Sequence, residues 1–246
     1  MVEKTLARQI KPCDPPRWLE WLFMNFFAEM NTEIARFNMV EQQIRTWQVL
    51  DKNVLSLLSQ LERQWFVPSA YHGLAYSDTE IPLGHGEHML PPRVDARLLQ
   101  DLGLQPHEQV LEIGTGSGYL TALLAQSCAH VTSLECHGEL LAQAQKNLQR
   151  ADIHNVRLLQ NQGVPAQLPH ASFDAVVLGG SVARVPDELL KLLKPAGRLL
   201  AVVGEEPMMQ TTLVQRQADG TGHSRVLWDV VIPRLHGFAE SAVFQF

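Results

Sequence analysis

Hydrophobic positions give the first outline of this chain. Ile34, Phe37, Val40 and Ile44 recur at helical spacing and predict a helix over 31–47. Asp51 stands where it can cap a second helix with a buried stripe of Val54, Leu55, Leu58 and Leu61. Pro91 and Pro92 open a third, which runs through Leu102 and stops at Gly103. The stretch from Trp65 to Leu90 shows neither period and carries Pro68, Gly73, Pro82, Gly84 and Gly86. It reads as a long irregular segment. Its aromatic residues argue against disorder and so for function.

Beyond Leu104 the pattern alternates. Strand-like runs "QVLEIG", "HVTSLE", "VRLLQ", "FDAVVLGG" and "GRLLAVVG" are separated by helical runs over 118–127, 138–150 and 187–194. Such alternation predicts a mostly parallel sheet with helices on both faces. The last strand-like runs, "TTLVQRQ", "HSRVLWDVVIP" and "ESAVFQF", predict a C-terminal antiparallel hairpin region. The fold class is therefore α/β with an N-terminal helical extension.

Composition narrows the function classes. The chain has 246 residues, 46% hydrophobic and 19% charged, as in an ordinary globular protein. A net charge of -6 weighs against a nucleic-acid partner. Cys13, Cys128 and Cys136 have no metal-ligand spacing and read as reduced thiols, which points to the cytoplasm. The segment "RWLEWLFMNFFAEM" is too short and too interrupted to span a bilayer, so no membrane is expected. Residues 1–30 read either as an extension outside a 31–246 domain or as a helix that docks on a partner or a membrane surface. "DPPR" at 14–17 is read as a proline break.

The candidate chemistry sits at "VLEIGTGSG". Gly114, Gly116 and Gly118 follow the first parallel strand, where open α/β sheets bind nucleotides. The spacing is neither G-x-G-x-x-G nor a P-loop. Glu112, expected at the mouth of the crevice, would repel a pyrophosphate and favour a cationic ligand. Glu135 ends the next strand, where an acid can accept hydrogen bonds from ribose hydroxyls. S-adenosylmethionine, which has a sulfonium, an ammonium and no phosphate, fits that set.

With "MVEQQIR" (39–45), "FVP" (66–68), "IPLGHGEHMLPP" (81–92), "VLEIGTGSGYLTALLA" (110–125) and "LLKPAGRLLAVVG" (192–204), the chain resembles the protein-L-isoaspartate O-methyltransferase family. The resemblance implies a doubly wound, seven-stranded Rossmann-like sheet, with S-adenosylmethionine as donor and the carboxylate of an isoaspartyl protein or peptide as acceptor. It also implies that Gln162 and Gly163 stand at the adenine, Gln162 in place of the family's Asp. The substrate loop departs further. His85 keeps the family residue, whereas Glu87 replaces Gln, His88 replaces Thr and Leu90 replaces a Ser thought to serve the acceptor carboxylate.

That loop leaves three readings open. With His85 and His88 as candidate catalytic residues, His88 takes over the lost Thr and Ser roles toward an isoaspartyl carboxylate; or the enzyme is retuned for another acceptor, a hydroxyl or amine of a small molecule that needs His88 or Glu87 as base; or the chain binds the donor without chemistry. No metal is expected at His85, Glu87 and His88, because the spacing is not H-E-x-x-H. Gly179 and Gly180 read as close approach of a ligand or as a tight turn, and Ser181 as a hydroxyl that can reach the pocket. Cys128 and Cys136 read as packing residues.

Overall fold

The central strands are built from runs in which every second side chain meets a different layer. In strand β3 (Gln109–Ile113), Val110 packs into one core cluster while Leu111 and Ile113 enter the other. In β6 (Phe173–Val182), Ala175 and Val177 join the first cluster, and Val176 and Leu178 the second. Both faces are apolar, so both must be covered, and the chain covers them with helices. The coordinates are a computed structural model in which residues 31–239 are described.

Within those residues the main sheet has seven strands in the order β5-β4-β3-β6-β7-β8-β9. They are β4 (His130–Glu135), β5 (Val156–Gln160), β7 (Leu193–Glu205), β8 (Met208–Arg216) and β9 (Gly222–Asp229), with β3 and β6. Strands β5 to β7 pair in parallel, and β8 and β9 add antiparallel. The chain winds from β3 outward through β4 to β5, then returns to place β6 on the other side of β3. The switch point therefore lies between β3 and β6, where such sheets open a crevice at their carboxyl ends. The expected doubly wound sheet and C-terminal antiparallel region are present; "ESAVFQF" and the 1–30 extension lie outside the described residues.

The helices follow their sequence signals. Helix α1 (Lys52–Gln60) is capped by Asp51, whose carboxylate accepts from the amides of Asn53 and Val54 at 2.7 and 3.3 Å. Such a cap contributes about 1 kcal/mol. Helix α2 (Pro92–Leu102) ends at Gly103 in the left-handed conformation. Helices α3 (Tyr119–Ala125), α4 (Gly138–Arg150) and α5 (Asp187–Leu192) complete the layers.

Two expectations change. Residues 31–47 start as an α-helix but pass into a π-helical turn over Met39–Ile44 and a 3-10 turn over Arg45–Trp47. Val40 and Ile44 are buried, while Ile34 and Phe37 are exposed. The irregular 65–90 stretch holds ordered structure: 3-10 turns and a hairpin of β1 (Ile81–Gly84) with β2 (Glu87–Met89). His85 and Gly86 turn its tip with positive φ. Pro82 and Gly84 hide these strands from a period-2 reading.

Candidate functional site

The crevice at the switch point is lined by three separate parts of the chain. The glycine turn supplies Gly114 and Gly116, and the end of β4 supplies Glu135 and Cys136. The hairpin supplies Glu87 and His88, and the segment after β9 brings Leu235 and His236 across the opening. Asn161 and Gly163 close one end. This geometry joins most of the residues expected from the sequence.

Gly114 adopts φ +98°, and a Cβ there would stand 2.9 Å from Leu235 Cδ2. A Cβ on Gly179 would come within 2.5 Å of the Gly114 carbonyl oxygen. The two glycines thus let β3 and β6 close up at the crevice floor. Close approach is the reason for Gly179, but the approaching group is the chain's own backbone.

Glu135 is buried and its carboxylate is held from two sides. Oε2 accepts from the Gly116 amide at 2.8 Å and Oε1 from the His137 amide at 3.0 Å. Each oxygen retains acceptor capacity, so the pair can also meet hydroxyls in the crevice. Cys136 lies beside it, with its thiol pushed up to about 11 by burial and by the Glu135 carboxylate. It is a poor nucleophile and a packing residue, as expected.

Several expected site residues stand elsewhere. Glu112 is not at the mouth. It is fully buried on the same face as Val110, where Thr121 and Ser133 hydroxyls donate to its Oε2 at 2.5 and 2.6 Å. Burial raises its pKa to about 8, so the carboxyl is neutral at pH 7 and brings no charge to the crevice. The acids that face the opening are Glu87 and Glu135. Gly118 does not line the crevice either. It enters α3 in the left-handed conformation, and its missing Cβ admits Ala144 of α4. Gln162 is exposed and lies against Gly237, while its neighbours Asn161 and Gly163 line the crevice.

The two loop histidines separate. His88 lines the crevice beside Gly114 and Gly116. His85 sits at the hairpin tip and is drawn outward, with Nε2 3.0 Å from Glu139 Oε2 of α4. It borders a different groove of about 620 Å3, formed with Trp65, His72, Asn147 and Arg150. Leu90 is buried, as an apolar residue at the loop's base should be. Ser181 donates to the Ile232 carbonyl at 3.1 Å and is fully buried, so its hydroxyl does not reach the pocket.

Sequence reasoning missed Arg63. Its guanidinium is completely buried, donates to Asp95 at 2.9 Å and to the Leu90 carbonyl at 2.5 Å, and lies over the Tyr119 ring. It fixes the end of the 81–92 loop against α2 and α3. Leu235 and His236 were missed as well. Pro233–Phe238 crosses the crevice as a strap, tied by the Ser181 amide to the Pro233 carbonyl at 2.8 Å and by the Leu235 amide to the Ser181 carbonyl at 2.9 Å. With the strap in place, only about 50 Å3 stays free between the walls. Small-ligand sites generally need several hundred.

Among the described residues, no helix is long and apolar enough to cross a membrane.

Comparison with known proteins bears on this arrangement. Residues 35–233 match the family model described as protein-L-isoaspartate(D-aspartate) O-methyltransferase (PCMT). A protein-L-isoaspartate O-methyltransferase of Methanoculleus marisnigri is 37% identical over 169 residues, 69% of this chain and 77% of that protein. One from Aeropyrum pernix is 33% identical over 213 residues, 84% of this chain and 82% of that protein. Among solved structures, a putative protein-L-isoaspartate O-methyltransferase from Plasmodium falciparum, in complex with S-adenosyl-L-homocysteine, superposes with a TM-score of 0.68 at 22% identity. That alignment covers 84% of this chain and 98% of the other.

Proposed function

Because the chain belongs to the protein-L-isoaspartate(D-aspartate) O-methyltransferase family, we propose that it methylates the free carboxylate of isoaspartyl residues in damaged proteins, with S-adenosylmethionine as donor. The observation that carries this reading is the buried Glu135 carboxylate at the end of β4, hydrogen-bonded to the Gly116 amide so that both line one crevice.

The residues present suit a cationic adenosyl ligand. Glu135 offers acceptor lone pairs for ribose hydroxyls. Gly114 and Gly116 let a ligand come close to the main chain, and Asn161 with Gly163 bounds the far end for a base. Glu87 and Glu135 give the crevice an acidic rim, which favours a sulfonium over a phosphate. When bound, S-adenosylmethionine supplies an activated methyl group.

The rest falls to the chain. An acceptor carboxylate is already ionised at pH 7, so no general base is needed. The protein must orient the carboxylate and keep water out. His88, on the hairpin wall, is the donor available to the acceptor oxygen in place of the family's hydroxyls. The outer groove, walled by Trp65 and by the Arg150 guanidinium stacked on it, offers Arg150 and His72 to the polar groups of a peptide. A cytosolic setting suits the free thiols of Cys128 and Cys136. Residues 31–246 would form the catalytic domain.

A donor-labelling assay tests the activity. An isoaspartyl peptide should acquire a base-labile methyl ester that releases methanol, while its aspartyl twin stays inert. Equal labelling of both peptides, or none of either, would overturn the reading.

A further inference from the structure

Three side chains from distant parts of the sequence converge at the mouth of the crevice. Glu87 comes from β2, His137 from the turn that opens α4, and His236 from the strap. One ligand atom of each lies within 4.8 Å of the others. Glu87 Oε1 is 3.3 Å from His137 Nε2 and 3.1 Å from His236 Nε2. Two ligands about 2.05 Å from a tetrahedral ion stand roughly 3.3 Å apart, so the two Glu87–histidine spacings match edges of a zinc polyhedron, and the histidine pair lies within 4.8 Å.

A second observation points the same way. His137 Nε2 is shielded from solvent, yet it has no hydrogen-bond partner among the described residues. It faces Glu87 without the alignment of a hydrogen bond. The ring is held by stacking on His85, with centroids 4.7 Å apart and an interplanar angle of 16°. Glu135 and Cys136 also bring a ligand atom within 4.8 Å of His137, but the Glu135 carboxylate already accepts from the Gly116 and His137 amides at 2.8 and 3.0 Å, whereas Glu87 meets both histidines.

We propose that Glu87, His137 and His236 form a zinc site that staples the strap shut over the crevice. Two imidazoles and one carboxylate are a borderline donor set suited to Zn2+, with the fourth position left to water. The ion would tie the hairpin, the β4–α4 turn and the strap together. Leu235, next to His236, would then stay seated against Gly114, and donor access would fall. The closing of donor access rests on the function proposed above, whereas the metal site does not.

The test uses the full chain, stripped of metal and titrated with Zn2+ against a chromophoric chelator. One ion should bind per chain. His236→Ala and Glu87→Gln should each weaken binding by roughly tenfold or more, and His154→Ala, at an exposed histidine far from the site, should not. A smaller loss in either ligand variant, or an equal loss in the control, overturns the site. Co2+ on the unmodified chain provides a readout that needs no variant: intense visible absorption marks a low-coordinate site, and a weak octahedral spectrum refutes it. Calorimetry with S-adenosylhomocysteine then separates the two claims. Zinc should lower its affinity for the native chain; unchanged affinity overturns the staple. If the metal-free chain binds no S-adenosylhomocysteine, the functional reading fails while the zinc site stands.

Discussion

Leu235 occupies the space that a side chain on Gly114 would claim, with Cδ2 2.9 Å from the position of its absent Cβ. The strap thus fills the crevice where the glycine turn would receive a ligand. A ligand that binds only the strap-open state has its affinity reduced by the fraction of molecules that are open. Leu235→Ala should therefore tighten S-adenosylhomocysteine binding, by roughly three- to tenfold if the open state is a minor one. Calorimetry on metal-free protein measures this directly. Weaker binding, with an unchanged unfolding midpoint, would show that Leu235 contacts the ligand and does not exclude it.

Glu112 makes stability depend on pH. Burial raises its pKa from 4.5 to about 8, with Asp95 and Glu135 adding to the rise and the Ser133 and Thr121 hydroxyls opposing it. Asp95 is raised from 3.8 to about 6, again by burial, against the pull of Arg63. In both cases the folded state holds a proton that the unfolded chain gives up. Stability from these groups is present below the unfolded pKa values and is lost as pH rises through the folded ones. Between pH 6 and 8, where Asp95 has largely titrated, Glu112 should cost at most about 1.4 kcal/mol per pH unit. Denaturant unfolding should show that slope in the native chain, and Glu112→Gln should flatten it. A slope that survives the substitution would assign the effect to another group.

The same Glu112 marks what the sequence does and does not disclose. Its place on a strand was legible, and period-2 alternation puts it on the face of Val110, against α3, and not at the strand's open end. Its motif position drew attention to charge, while strand geometry governed where the carboxylate went. The parallel strands were legible because both faces are apolar, so each run stood out as a block. The β1–β2 hairpin was not, since Pro82 and Gly84 break the alternation. Glu135, Gly114 and Gly116 could be placed at the crevice because they follow strand ends. His137 and His236 could not be brought together, because they lie about a hundred residues apart and only the strap's path unites them.

Arg63 and Asp95 form a buried ion pair, and removing one partner leaves the other charge uncompensated. Arg63→Met should destabilise the chain by about 3–5 kcal/mol, with Arg63→Met/Asp95→Leu recovering much of that loss. The Leu90 carbonyl also loses its donor, so the loop should loosen in both variants. Urea unfolding reports the first effect, and hydrogen exchange over 87–91 the second. A double variant no more stable than the single one would show that Arg63 serves chiefly the Leu90 carbonyl.

The substrate loop offers the sharpest test of chemistry. Leu90 is buried and brings no donor to the acceptor, while His88 lines the crevice beside the glycine turn. If His88 holds the acceptor carboxylate, His88→Ala should lower kcat/KM for an isoaspartyl peptide by roughly 10- to 100-fold, the loss expected for one charge-assisted hydrogen bond of about 1.5–3 kcal/mol. S-adenosylhomocysteine affinity should change little, because His88 is assigned to the acceptor. Leu90→Ser with His88→Thr restores the family's hydroxyls and should keep the activity that His88→Ala loses. The Ser hydroxyl must be met by a partner in a site that now buries Leu90, so some loss of stability should accompany it. Methanol release from the three proteins decides the matter. Full activity in His88→Ala would exclude His88 from the acceptor role and move that role to the outer groove at Arg150 and His72.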